Sequence, residues 1–222
     1  MAEAIGQSLL FAVAIAVFPI PIIATVILVL ARRGRVLASL FALGWIIGLA
    51  ALGAVVLTLV TAAEGGATAT PTWVSWARVV LGTGLLGLAA VEARTQVRSR
   101  GRPRTPGWMQ ALEAVSPLRA AGTGLVLSAL NPKNVALALA AGAAIVDVHL
   151  PAAQVVVVWA VFTVVASLGV LVPLGAVALL GRRAARPLGA FRGWLQANSS
   201  AILAVLFVLL GAKVIGDGIA GL

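Results

Sequence analysis

The chain has 222 residues, of which 62% are hydrophobic and 10% charged, with a formal net charge of +10. A soluble domain spends about a quarter of its residues on charge, so this composition cannot cover a water-facing surface of this size. A nucleic-acid surface is excluded as well, because the 16 basic residues gather in clusters between apolar runs and not on one face.

The apolar runs are about twenty residues or longer, enough to cross a hydrocarbon core of about 30 Å as helices. Strands of a membrane barrel would alternate polar and apolar residues, and these runs do not. An all-α polytopic membrane protein with six transmembrane helices, forming a single transmembrane domain over 1–222, is therefore expected. Helix 1 is predicted over about 5–31, interrupted by Pro19 and Pro21 and followed by Arg32, Arg33 and Arg35. No basic residue precedes this run, and it is longer than a signal peptide, so it reads as a retained helix. Helix 2 covers about 36–62 and contains Gly44, Gly48 and Gly53. Residues 64–76 read as a loop, with Trp73 and Trp76 as interfacial anchors. Helix 3, over about 77–93, is the shortest.

A basic loop at about 94–118 follows, with five arginines and Pro103, Pro106 and Pro117. Its second half, 106–115, suits a short amphipathic helix on the membrane surface, with Trp108 and Met109 toward lipid. Helix 4 covers about 119–146 and holds Asn131, Pro132, Lys133 and Asn134 near its middle. A turn with Asp147, His149 and Pro151 leads to helix 5, about 152–180, which contains Pro173. Arg182, Arg183, Arg186 and Arg192 precede helix 6, about 196–215.

Thirteen of the sixteen basic residues fall in the connections between helices 1 and 2, 3 and 4, and 5 and 6. The positive-inside rule makes that side cytoplasmic, so both termini are expected outside an inner (cytoplasmic) membrane. The other three are Arg78, Lys133 and Lys213, of which Lys133 alone reads as mid-helix.

Lys133 draws the chemistry. A lysine in a bilayer costs a few kcal/mol unless it is paired, hydrated or neutral. Pro132 removes a helical hydrogen bond beside it, and Asn131 and Asn134 can serve the freed groups. Broken helices with small polar groups near the midplane are the usual substrate sites of secondary transporters. Pro19 lies thirteen residues before Arg32, and Pro132 thirteen after Arg119. The breaks in helices 1 and 4 are thus equally deep, which predicts a 3+3 inverted repeat. Lys133, Asn131, Asn134, Pro132, Pro19 and Pro21 are the candidate translocation residues; a snorkelling or helix-pairing role for Lys133 is the plainer alternative. Gly44 and Gly48 read as a close-packing face, and Pro173 as a kink. His149, in an exposed turn, reads as a solvated loop residue. Without cysteine, disulfides and thiolate metal sites are excluded. No catalytic set, no metal and no cofactor is expected, and the protein is read as no enzyme.

Pro19, Ile20 and Pro21, then Arg32 to Arg35 and the Gly44 helix, give the chain a pattern that resembles the LysE-type exporter superfamily. Within it, Trp108, Met109, Pro117 and above all Asn131, Pro132, Lys133 and Asn134 resemble the GAP family, also called Sap or sulfolipid-1-addressing proteins, found mostly in actinobacteria. The resemblance covers essentially the whole chain. Ile20 departs from the Pro-Gly-Pro typical of amino-acid exporters, which weakens any transfer of their specificity. The resemblance implies export, or help in exporting, of envelope glycolipids or peptidoglycolipids beside large lipid-exporting machinery. Membrane lipids, a lipid or small-solute substrate and a large lipid exporter are thus the expected partners, and small-residue helix faces allow a homodimer. A LysE-like exporter of amino acids or other small solutes, or a non-transporting accessory subunit, are the alternatives.

Overall fold

The computed structural model describes residues 1–31, 33–64, 72–99 and 115–221. Among them the fold is all-helical, with nine α-helices, one short 3-10 turn and no strand. The helices are α1 (Ala2–Val17), α2 (Pro19–Leu30), α3 (Gly34–Glu64), α4 (Thr72–Ser99), α5 (Pro117–Ala129), α6 (Pro132–Val146), α7 (Ala152–Ala166), α8 (Leu168–Leu180) and α9 (Ala185–Ala220). Helices α3, α4 and α9 are each long and apolar enough to cross a membrane. The other six form three bent pairs, α1–α2 at 49°, α5–α6 at 53° and α7–α8 at 57°. The described residues therefore contain three spans, or up to six if each bent pair is one.

Each break has a local cause. Phe18, with an extended ψ of 124°, ends α1, and Pro19 starts α2. Pro19 and Pro21 carry no N–H, so they remove two of the donors that a helix start leaves unpaired. At the second break the Asn131 side chain accepts a hydrogen bond from the Lys133 N–H at 3.0 Å, and Pro132 occupies the first turn. Asn134 Nδ2 donates to the carbonyls of Leu127 and Ser128, both at 3.1 Å, across the gap. At the third, Ser167 Oγ donates to the Thr163 carbonyl at 2.7 Å, and Pro173 lies inside the helix that follows. A proline clashes with the carbonyl four residues before it, here that of Gly169, close to the bend.

Several boundaries differ from the sequence reading. Helix 3 runs over Thr72–Ser99, not 77–93, so Trp73 and Trp76 sit on its exposed first turns. Helix 6 runs over Ala185–Ala220, not 196–215, and carries Arg186 and Arg192. Helix 5 has a full break, so the broken spans number three and not two. At the C-terminal end of helix 3 and the N-terminal end of helix 6 the apolar run ended near the first charges, whereas the backbone hydrogen bonds continue through arginine, a good helix former. The surface helix at 106–115, with Trp108 and Met109, and most of the loop at 94–118 lie outside the described residues.

The packing relies on small residues, as expected where lipid is as apolar as the helices themselves. A Cβ on Gly44 would run into the Ala121 carbonyl, one on Gly48 into the Ser128 hydroxyl, and one on Gly124 into the Phe41 carbonyl. These contacts seat α3 against α5. Antiparallel α4 and α9 meet in the same way, through Gly82, Gly211 and Gly218, and Gln96 Nε2 donates to the Ala197 carbonyl at 3.1 Å. Helix α2 is buried on nearly every side, and Gly169 of α8 abuts the Ala16 carbonyl at the end of α1. The breaks of the first and third bent pairs therefore touch.

Gly48→Leu should lower stability by about 1–3 kcal/mol through overpacking, seen as a lower melting temperature in detergent. Gly84→Leu and Gly87→Leu, at positions with open space around them, should melt close to wild type.

Candidate functional site

Lys133 stands in the first turn of α6, its backbone N–H held by the Asn131 cap. Its Nζ lies 3.4 Å from Glu92 Oε1 of α4 and 5.0 Å from the ring centroid of Phe207 of α9. Both side chains of the ion pair are largely buried, at 29% and 21% exposure. Phe207 in turn meets Phe18, the residue at the α1–α2 break, edge to face at 6.3 Å. The lysine is thus served by a carboxylate and by the face of an aromatic quadrupole. Asn134 is fully buried; its amide nitrogen is engaged, whereas its Oδ1 has no hydrogen-bond partner among the described residues.

A cavity of about 900 Å³ opens at the end of the bundle opposite the arginine clusters. Its walls come from α1, α3, α4, α6 and α9, and they are mostly apolar, with Leu59, Leu81, Leu139 and Val214 among them. The charges in it are Glu3, Arg78, Asp147, Lys213 and Asp217. Arg78 pairs with Asp147 at 2.8 Å and Lys213 with Asp217 at 2.6 Å, and Lys213 Nζ lies 5.6 Å from the centre of the Phe11 ring. Lys133 is not in the lining. It sits two turns below Ala140, about 10 Å along the helix, with the buried side chains of Leu85, Leu137, Phe207 and Leu210 at the intervening levels.

The structure brings Lys133, Asn131 and Asn134 together, and links them through Phe207 and Phe18 to the break that Pro19 and Pro21 create. Both of those prolines are buried, and Pro132 is exposed. Gly44 and Gly48 belong to the α3–α5 seam. His149, in the turn after α6, is exposed, and its Nδ1 donates to the Asp147 carbonyl at 2.8 Å. Sequence reasoning missed Glu92, and it gave Arg78, Asp147, Lys213 and Asp217 no role. A signal was present in the equal spacing of opposite charges on helices 3 and 4, but it is readable only once those helices are known to face each other.

Bent apolar helix pairs, a largely buried lysine–glutamate pair and a charged cavity at one end define a helical protein of the membrane type, with spans apolar enough to cross a bilayer. The chain belongs to the family described as Sap, sulfolipid-1-addressing protein, which it matches over residues 9–220. No curated protein and no solved structure matches it.

Removing one partner of a buried ion pair leaves the other charge uncompensated. The Glu92→Gln/Lys133→Gln double variant should therefore destabilise by less than the sum of the two single changes, with a coupling of about 1–3 kcal/mol. A double-mutant cycle of thermal unfolding in detergent measures it, and additive shifts would mean that the pair does not hold.

Proposed function

We propose that this protein moves an anionic amphiphile of the cell envelope outward across the cytoplasmic membrane, with the headgroup passing Lys133 and the cavity above it. The observation that carries the reading is the largely buried Lys133–Glu92 pair at a helix break beneath a cavity of apolar walls and charged groups. Such a lining suits a molecule with a charged head and an apolar body. Membership of a family named for addressing sulfolipid-1 points the same way. Leu59 and Trp73, about three-fifths exposed at the cavity rim, offer an apolar approach for tails.

In this reading each bent pair is one span, giving six, and the arginine-rich end is cytoplasmic by the positive-inside rule. Both termini and the cavity then face outward. A 3+3 inverted repeat is supported by similar bends in the first and fourth spans, 49° and 53°. The packing supports it too: α1 meets α7 as α5 meets α3, and α2 meets α8 as α6 meets α3. The bend of the fifth span has no counterpart in the straight α3, so the halves have diverged. The sequence contains no Gly-rich nucleotide loop ending in Lys-Ser/Thr, which leaves an ion gradient or a partner ATPase as the energy source.

The test compares a deletion strain of the native host with strains restored by wild type or by Lys133→Ala at equal expression. Surface-extracted and whole-cell lipids are then measured by mass spectrometry. One anionic lipid class should leave the surface and accumulate inside, with rescue by wild type and a loss of at least tenfold in rescue by Lys133→Ala, the factor that about 1.4 kcal/mol gives. Full rescue by Lys133→Ala would favour an accessory subunit, and an unchanged lipid distribution would favour a small-solute exporter.

A further inference from the structure

Arg78 and Glu92 stand fourteen residues apart on α4 (78 to 92), and Lys133 in the first turn of α6 and Asp147 at its C-cap are also fourteen apart (133 to 147). Fourteen residues is close to four helical turns, so the two charges of each helix lie near one face, about 21 Å apart along the axis. Each helix carries its cation before its anion, and the cation of one meets the anion of the other. Arg78 joins Asp147 at 2.8 Å, and Lys133 joins Glu92 at 3.4 Å. Two ion pairs thus tie α4 to α6 at two levels, with the sign reversed between them.

The positions between these levels are uncharged: Leu81 and Leu85 on α4, and Leu137, Ala140 and Ala144 on α6. The two helices share no extended packing seam, because α4 lies along α9 and α6 along α1 and α3. The upper part of the cavity runs between them, lined by Arg78 and Leu81 on one side and by Ala140, Ala144 and Asp147 on the other. The Lys213–Asp217 pair differs in kind, since it joins neighbouring turns of α9 and crosses no gap.

We propose that the α4–α6 crevice is the passage for an anionic headgroup, a sulfate, phosphate or carboxylate, with Lys133 and Arg78 as its two cationic stations. Glu92 and Asp147 close these stations when no headgroup is present. A lone charge inside a membrane protein is costly, so each cation holds either its carboxylate or the passing anion. Exchange of one for the other loosens the tie between the helices at that level, and the Lys133–Glu92 level, below the cavity floor, is the one that shuts the passage from the arginine-rich side. The inference rests on the cavity being the headgroup route, but its test needs no knowledge of the lipid.

The chain has no cysteine, so Ala140→Cys, between the two levels and in the cavity wall, supplies a single reporter thiol. Membrane vesicles of both orientations are treated with a membrane-impermeant thiol reagent. The thiol should react from the cavity side and be protected from the arginine-rich side. Adding Glu92→Gln or Lys133→Gln should raise labelling from the arginine-rich side at least tenfold, which corresponds to about 1.4 kcal/mol. The charge-exchanged Glu92→Lys/Lys133→Glu protein should regain protection, and Arg78→Gln should leave it intact. Unchanged labelling in the single variants, or no recovery in the exchanged one, overturns the gate; retained labelling from the cavity side reports that each variant is folded. Octyl sulfate below its micelle concentration should slow labelling of the wild-type background, and octyl glucoside should not. Equal protection by both overturns the anion stations. Protection by inorganic sulfate as strong as that by octyl sulfate upholds the stations while removing the case for an amphiphile.

Discussion

A helix that stops leaves backbone donors and acceptors without intrahelical partners, and the rest of this fold is arranged around three such stops. At the first, two prolines remove donors outright. At the second, Asn131 supplies an acceptor and Asn134 a bidentate donor, so that Leu127 and Ser128 keep partners across a 53° bend. At the third, Ser167 turns its hydroxyl back on the preceding turn. The first and third stops touch through Gly169 and Ala16, and the second reaches the first through Lys133, Phe207 and Phe18. The three stops are thereby linked to one another through the bundle, while Leu130 and Pro132 at the second remain exposed on its outer side.

The ion pairs follow from the same constraint. Lys133 lies at the start of a half-helix, where the positive end of the dipole does not favour a cation, so Glu92 and the Phe207 face offset an unfavourable position. The span between the Lys133 and Arg78 levels, about 21 Å, covers most of a hydrocarbon core of about 30 Å. On the proposed route a headgroup between them lies within about 10 Å of a cation that a carboxylate otherwise holds.

The glycine-rich faces bear on assembly. In α3 the face with Gly44 and Gly48 is taken up by α5, and in α4 Gly82 is taken up by α9. Gly84 and Gly87, with open space about them, lie elsewhere on α4. A homodimer or a dock on a larger exporter would have to use surfaces other than the α3 glycines.

Composition and charge placement alone determined that this is a helical protein with spans apolar enough to cross a membrane and its arginine clusters between them, because membrane cost depends on each residue's own polarity and not on its neighbours. The Asn131–Pro132–Lys133–Asn134 break was legible for the same local reason: proline and a charge disrupt a helix wherever it packs. The break at Ser167 was not, since serine, glycine and a distant proline are tolerated in straight helices as well. Only the tertiary structure decided that Glu92 answers Lys133 and Asp147 answers Arg78. Those partners are 41 and 69 residues apart in the chain, and no local pattern states which faces of which helices will meet.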